Sequence, residues 1–516
     1  MIILRRPARA LALGALALLG ACSGTTTTAD AGSDAPTSAD AARPVDAGIP
    51  AVMRTRAPVG RLRAMGDEII DANDTPVALR GVNLGSWLFV ETWMDTLDYT
   101  PPGRLVVEAE RQSPALAAAV RAAATAAGPP ASETREAYYA RVEGLLPTGT
   151  DATAFARARA EALACPDVAD DSDVPLRAAL TARFGPDGRN RILDAYADAW
   201  ITDRDLDEIA ALGLNLVRVP TTWRAWVVDD STYDTITLRD ATVARVDRLL
   251  DACEARGIRA VIDLQESPGG HNDYSGPARL YDDPVAQTAT ITLWRAIAAH
   301  LRTRDSVAAY SLLAEPFGAP DVATMIAMYD RLHDALRADG DEHLLVIHDG
   351  FKGVDRLPAP SELGWTDVVY SSHYFEFGAT NATQVDFAAR VAESQVATLR
   401  ARAEVPFFVG SFSSIRDADW GYQAFDQLTQ RYAGNGWSWS IWAWKRIDDP
   451  IERDLFGTRT AWGVYRDFAA STPPARIDVC HDTEAEILAE IESLRTENLV
   501  PNATLQQHVR QAVALP

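Results

Sequence analysis

The run Ala308-Ala309-Tyr310-Ser311-Leu312-Leu313-Ala314 is apolar and of strand length, and it stops at Glu315-Pro316-Phe317-Gly318. That is the pattern of a buried parallel strand whose C-terminal tip carries an acid into a pocket, with proline ending the strand. A carboxylate in such a place is costly unless it is paired or protonated, so Glu315 is either a working acid or half of an ion pair. Arg218, near the end of Asn215-Leu216-Val217-Arg218-Val219-Pro220, is a cation delivered by the same kind of strand. Trp442 and Trp444 in Ser440-Ile441-Trp442-Ala443-Trp444-Lys445 add flat apolar faces able to stack on the C–H surface of a ring.

Acid, cation and aromatics must be held by something regular, and the chain supplies it. Eight short segments rich in Val, Ile, Leu and aromatics read as strands: 79–84, 215–220, 259–264, 309–314, 343–348, 367–372, 405–410 and 438–444. Helical stretches lie between most of them, at 204–212, 241–256, 285–301 and 322–338, several ended by a glycine such as Gly213, Gly257 or Gly340. Strand and helix alternating eight times predict an α/β fold, a (β/α)8 TIM barrel with its site at the strand tips. Alternation along a strand puts Trp442 and Trp444 on one side, and the lumen is the side expected.

A short hairpin over residues 66–77, turning at Asn73-Asp74, is expected to close the barrel's bottom. The rhythm breaks between the first and second strands, where alanine-rich helical runs at 106–127, 133–143, 152–164 and 190–200 predict a helical insertion at about 101–199 beside the barrel mouth. The barrel is expected over residues 57–480, followed by a C-terminal helical extension, 481–516, of two amphipathic helices.

At the N-terminus, Arg5, Arg6 and Arg9 precede an apolar run too short to be a permanent span, and Leu19-Gly20-Ala21-Cys22 follows. The four residues resemble a bacterial lipobox, which implies a signal peptide over 1–22, lipid on the Cys22 thiol, and an exported protein anchored in a bacterial membrane. Residues 23–56 carry almost no large apolar side chain and are expected to be a disordered tether. Of the 4 cysteines, Cys165, Cys253 and Cys480 remain after lipidation, widely spaced and without a metal-ligand pattern. One disulfide among them is allowed, its pairing unreadable. The formal charge of −23 argues against nucleic acid and suits a neutral ligand. A monomer without metal or cofactor is expected.

Read together, Arg80-Gly81-Val82-Asn83-Leu84-Gly85-Ser86-Trp87 through Glu91 and Trp93, the Arg218 strand, Asp263-Leu264 with Gly269-Gly270-His271-Asn272, and Leu313 to Gly318 resemble glycoside hydrolase family 5, in its exo-1,3-β-glucanase-like branch. The resemblance spans roughly Gly66 to Asp467 apart from the insertion. It implies a β-linked glucan or oligosaccharide as ligand and a retaining mechanism with two carboxylates about 5–5.5 Å apart. Glu315 matches the acid/base. The nucleophile position falls at Ser411, where the family pattern Gly-Glu-Trp-Ser is replaced by Gly410-Ser411-Phe412-Ser413.

Other positions depart as well. Ala314 stands where the family has an asparagine for the sugar 2-hydroxyl, and Gln265 where this branch has a histidine. In Ser371-Ser372-His373-Tyr374-Phe375 the family's His-x-Tyr is matched either by His373 with Phe375 or by Tyr374 with Ser372. The resemblance also implies substrate contacts from Arg218, Glu91, Trp87, Asn272, Trp442 and Trp444. Two function classes follow: a β-glycosidase with impaired or altered chemistry, or a catalytically inactive surface lipoprotein that binds β-glucan. A serine is a poor nucleophile towards an acetal without a base, for which His271 and His373 are the tip candidates. An inverting route would need a distant carboxylate, Glu376 or Glu266.

Overall fold

The computed structural model describes residues 59–515, apart from 96, 131–132, 169–171, 414–417, 458–462 and 467–475. The expected signal peptide, Cys22 and the tether lie outside the described residues. Strands β1 (Arg63–Met65) and β2 (Glu68–Ile70) form an antiparallel hairpin. Eight strands follow: β3 (Arg80–Asn83), β4 (Leu216–Thr222), β5 (Arg259–Glu266), β6 (Val307–Ser311), β7 (Leu344–His348), β8 (Val368–Tyr374), β9 (Phe407–Phe412) and β10 (Ser438–Ile441). They pair in parallel and in chain order, and β10 closes on β3, giving the expected (β/α)8 barrel. Two-residue strands β11 (Lys445–Arg446), β12 (Tyr465–Arg466) and β13 (Val500–Pro501) make a small side sheet.

Period-two alternation builds the interior. Leu216, Val261, Ala309, Leu344, Val346, Val369 and Phe408 point inward and form the lumen floor. Leu62 and Ile69, flanking and within the hairpin, join the same cluster, so the hairpin plugs the bottom as expected. The chain turns tightly at Gly66-Asp67, where Gly66 takes a positive φ of 62°, and turns back again at Asn73-Asp74 as expected, with Ile70 bridging Pro76 antiparallel and Val77 N–H donating to Ile69 O at 2.8 Å. The alternate residues, among them Val82, Val217, Ile262, Tyr310, Ile347 and Tyr370, face the helices in the main core.

The helices start on side-chain caps at Asp283, Asp321 and Asn381, which accept from backbone N–H groups of their first turns. The insertion divides in two. Helices Pro101–Gln112, Pro114–Ala127, Arg135–Glu143 and Ala152–Ala164 share a core of their own around Val106, Val120, Tyr138, Tyr139 and Phe155. Helix Val174–Trp200, broken at Gly185 before Pro186, instead packs Leu176, Ile192, Tyr196 and Trp200 into the barrel's core. A disulfide joins Cys165 to Cys480, tying the insertion to the segment that leads into the C-terminal helices Glu484–Ile491 and Ala503–Val513. Cys253 is a buried free thiol.

Candidate active site

Above the apolar floor the lumen turns polar. Arg218 on β4 is 1% exposed and is held at both ends of its guanidinium. It donates to Asn83 Oδ1 at 2.7 Å, to Asp263 Oδ2 at 2.8 Å and to Gln265 Oε1 at 3.2 Å. A buried charge is tolerable only with such a partner set, and Asp263 supplies the counter-ion. Asn83 in turn donates to Gly410 O and to Ser440 Oγ, joining β3 to β9 and β10.

Glu315 lies past the end of β6, which stops at Ser311, three residues earlier than the apolar run suggests. The chain after β6 turns, and Glu315 adopts φ 52°, the left-handed region that costs a residue with a Cβ about 1–2 kcal/mol. Neighbouring bonds over-determine it. Ala314 N–H donates to Leu264 O at 3.0 Å, His271 Nε2–H donates to Ala314 O at 2.6 Å, and Phe317 N–H donates back to Glu315 O at 2.7 Å.

The carboxylate so placed has two partners. His373 Nδ1 stands 2.6 Å from Oε1, and the Tyr274 hydroxyl donates to Oε2 at 2.5 Å. Burial pushes the Glu315 pKa up, but the His373 and Tyr274 contacts and the Arg218 charge outweigh it, leaving it below the ordinary glutamate value. Burial lowers the pKa of His373, against the pull of Glu315. The pair is therefore an ionised carboxylate and a neutral imidazole with its proton on Nδ1. A carboxylate in this state accepts hydrogen bonds and is a poor proton donor.

On the far side, His373 Nε2 faces β9. A Cβ at Gly410 would lie 2.7 Å from it, so only glycine fits there. Strand β9 carries one residue more than β8 between Val409 and Ser411, and one more than β10 between Val409 and Phe412, a bulge at Gly410 that sets Ser411 opposite His373. Ser411 is 2% exposed, and its Oγ is buried with no hydrogen-bond partner among the described residues. His348 at the end of β7 packs edge-on against His373, centroids 4.5 Å apart. Its Nδ1 accepts from Gly350 N–H, so the proton sits on Nε2, which is buried and without a hydrogen-bond partner among the described residues.

Several expected substrate contacts face elsewhere. Trp444 is fully buried under the helices, its Nε1–H donating to Asp205 Oδ1 at 2.6 Å, because β10 ends at Ile441 and its alternation does not extend to 444. The peptide between Trp442 and Ala443 is cis, and Trp442 stays at the mouth with Met94, Trp93 and Phe375, against Gly85. Trp87 donates from Nε1 to Ala197 O at 2.8 Å and belongs to the main core beside helix 174–200.

Tyr374 also faces out of the barrel, packed on that core, so the inward pair is His373 with Phe375 at the mouth. Asn272 braces a loop by donating to Gln265 O at 3.1 Å, and Ala314 offers a buried backbone to His271. Glu91 is bound through its backbone N–H to Ser86 Oγ at 3.0 Å in the loop after β3.

Two candidate bases are excluded by their bonds. His271 Nδ1 accepts from Ser267 Oγ at 3.0 Å while Nε2 donates to Ala314, and burial pushes its pKa down to about 4. Glu266 points away from the lumen to Thr222 Oγ1, 2.8 Å, and Arg224, 2.5 Å. Glu376 is exposed on the loop after β8. Sequence reasoning missed Tyr274 and His348, which carry no motif spacing. Asp263 was findable, since it alternates with Val261 and Gln265 on one face of β5.

A beta-xylosidase of Phanerodontia chrysosporium is 30% identical over 211 residues, covering 39% of this chain and 44% of that one. Glucan 1,3-beta-glucosidase 2 of Saccharomyces cerevisiae is 30% identical over 219 residues, 38% of this chain and 39% of that one. This chain thus spans less than half the length of either relative. Among solved structures, a rutinosidase from Aspergillus niger aligns with a TM-score of 0.48 at 14% identity, over 75% of this chain and 95% of that one. The family model described as Cellulase (glycosyl hydrolase family 5) matches residues 184–447, which run from the insertion's last helix through β10 and contain Arg218, Glu315, His373 and Ser411. With half of its residues under that model and a closed parallel barrel around the site, the chain belongs to glycosyl hydrolase family 5.

Proposed function

We propose that the protein binds β-linked glucan at the barrel mouth and that hydrolysis by double displacement is impaired in it. One observation carries this reading: Glu315, matched to the acid by the sequence resemblance, is an ionised carboxylate already engaged by His373 and Tyr274, while β9 bears Ser411 where that resemblance puts the nucleophile. Double displacement needs a protonated acid and a second carboxylate. Trp442, Trp93 and Phe375 at the mouth supply the apolar platform for a sugar face, with Arg218, Gln265 and Glu315 as polar groups below.

Laminari-oligosaccharides are expected to quench tryptophan fluorescence saturably without releasing glucose. Steady glucose release by wild type that disappears in Glu315→Gln would overturn the reading. The lipobox around Cys22 supports export and a lipid anchor in a bacterial membrane. Cys22→Ala should move the protein from the membrane fraction to the soluble one, and identical partitioning would remove the anchor from the proposal.

A further inference from the structure

We propose that Glu315, His373 and Ser411 form an acid–base–nucleophile relay that transfers the acyl group of an O-acylated β-linked saccharide to water. The choice of a saccharide ester rests on the glucan-binding reading above; the relay itself rests on geometry. The imidazole of His373 bridges two strand ends. Nδ1 is 2.6 Å from Glu315 Oε1, and Nε2 is turned to the Gly410–Ser411 bulge of β9.

Ser411 occupies the position paired with His373, and its buried Oγ makes no hydrogen bond to His373 Nε2 or to any other described group, so rotation about its Cα–Cβ bond is the step that engages the base. An unsatisfied buried hydroxyl costs about 1–3 kcal/mol, so it marks a site where a partner atom is missing. The same carboxylate that is in the wrong state to protonate a glycosidic oxygen is in the right state to orient a histidine and stabilise its cation. Arg218, Asp263 and His348 are the other charged or titratable groups around His373. The unpartnered Nε2–H of His348 is a donor available to a developing oxyanion.

The step balances with water as co-reactant. Ser411 Oγ attacks the ester carbonyl carbon while its proton passes to His373 Nε2. The tetrahedral adduct then breaks its bond to the sugar oxygen, which takes that proton and leaves as the alcohol. Water attacks the acyl-Ser411 ester, giving its proton to His373, and collapse releases the carboxylic acid and returns the proton to Oγ. Such chemistry needs no second carboxylate and uses Glu315 in its ionised state.

The test is covalent. A fluorophosphonate probe should phosphonylate folded wild type at Ser411, located by peptide mass spectrometry, and 4-nitrophenyl acetate should be hydrolysed. Ser411→Ala, which removes one hydroxyl, should abolish both. His373→Gln should slow labelling by about 100-fold or more, the scale of a lost general base. Glu315→Gln should slow it and move the pH limb downward, since His373 loses an anionic neighbour; a structural role would lower the rate without moving the limb.

Should the His373 variant not fold, Ser411→Cys serves in its place, with iodoacetamide expected to react at a pH below that of an ordinary thiol. An unlabelled Ser411 in wild type, or labelling indifferent to His373, would overturn the relay. Laminari-oligosaccharide separates the two proposals. Labelling slowed by the sugar supports both, labelling unaffected by it keeps the relay and overturns the glucan ligand, and fluorescence quenching without labelling does the reverse.

Discussion

His373 Nδ1 lies 2.6 Å from Glu315 Oε1, and on its other side the same ring leaves no room for a side chain at position 410. The contact is thus as much a property of β9 as of β6 and β8. Gly410→Ala places a methyl 2.7 Å from Nε2 and must move the ring. Released from His373, Glu315 loses its strongest stabilising partner, and its pKa should rise from below the ordinary glutamate value to above it. Infrared titration of the Glu315 carboxyl in wild type and Gly410→Ala reads this directly, and identical curves would mean that His373 is not what holds the carboxylate ionised.

The two tryptophans after β10 should separate binding from stability. Trp442→Ala removes the mouth platform and is expected to weaken oligosaccharide binding by about 1–3 kcal/mol with little change in unfolding. Trp444→Ala empties a site in the main core and should cost ~3–5 kcal/mol of stability. Fluorescence titration and urea unfolding on both variants check the assignment. Weakened binding in Trp444→Ala at unchanged stability would contradict it.

His271 sets part of the acid limb of stability. Its folded pKa of about 4 lies below the ordinary 6.5, so its contribution is full above pH 6.5 and is lost as pH falls towards 4, where the unfolded chain binds a proton the native one does not. His271→Gln should flatten the urea-stability profile relative to wild type by about 1.4 kcal/mol per pH unit within that window. Parallel profiles from pH 7 to 4 would show that His271 is protonated in the native state.

Reducing the disulfide should loosen the insertion. The bridge spans 315 residues, and Cys165→Ser with Cys480→Ser is expected to cost about 2–4 kcal/mol. Limited proteolysis should then cut first within 101–164, whose helices form a core apart from the barrel's. Cleavage distributed over the barrel helices instead would argue that the two cores unfold together.

The barrel was legible because hydrophobic period and helix caps are local: each of the eight strand segments forms a strand within a few residues of its expected ends, and Glu315 follows the fourth of them in the turn just past its end. What failed was non-local. Trp444 obeys alternation only if β10 continues, and whether a strand continues depends on its neighbours; here pairing with β3 and β9 ends at Ile441. Trp87 turns to helix 174–200, whose first half was unreadable across the Gly185-Pro186 break. Tyr274 comes from a loop, where no period exists to mark it. The β9 bulge has no sequence signal other than Gly410 itself.

The cysteine pairing has a consequence in time. Cys165 precedes seven of the eight barrel strands and Cys480 follows all of them, while Cys253, between the two, is the thiol nearer to Cys165 along the chain. Along the chain Cys165 therefore meets Cys253 before Cys480. Once β4 and β5 are assembled, Cys253 is buried and its thiol pKa is pushed up to about 12, which removes the reactive thiolate. Barrel assembly thus withdraws Cys253 from oxidation: among the described cysteines only Cys165 and Cys480 are left to pair.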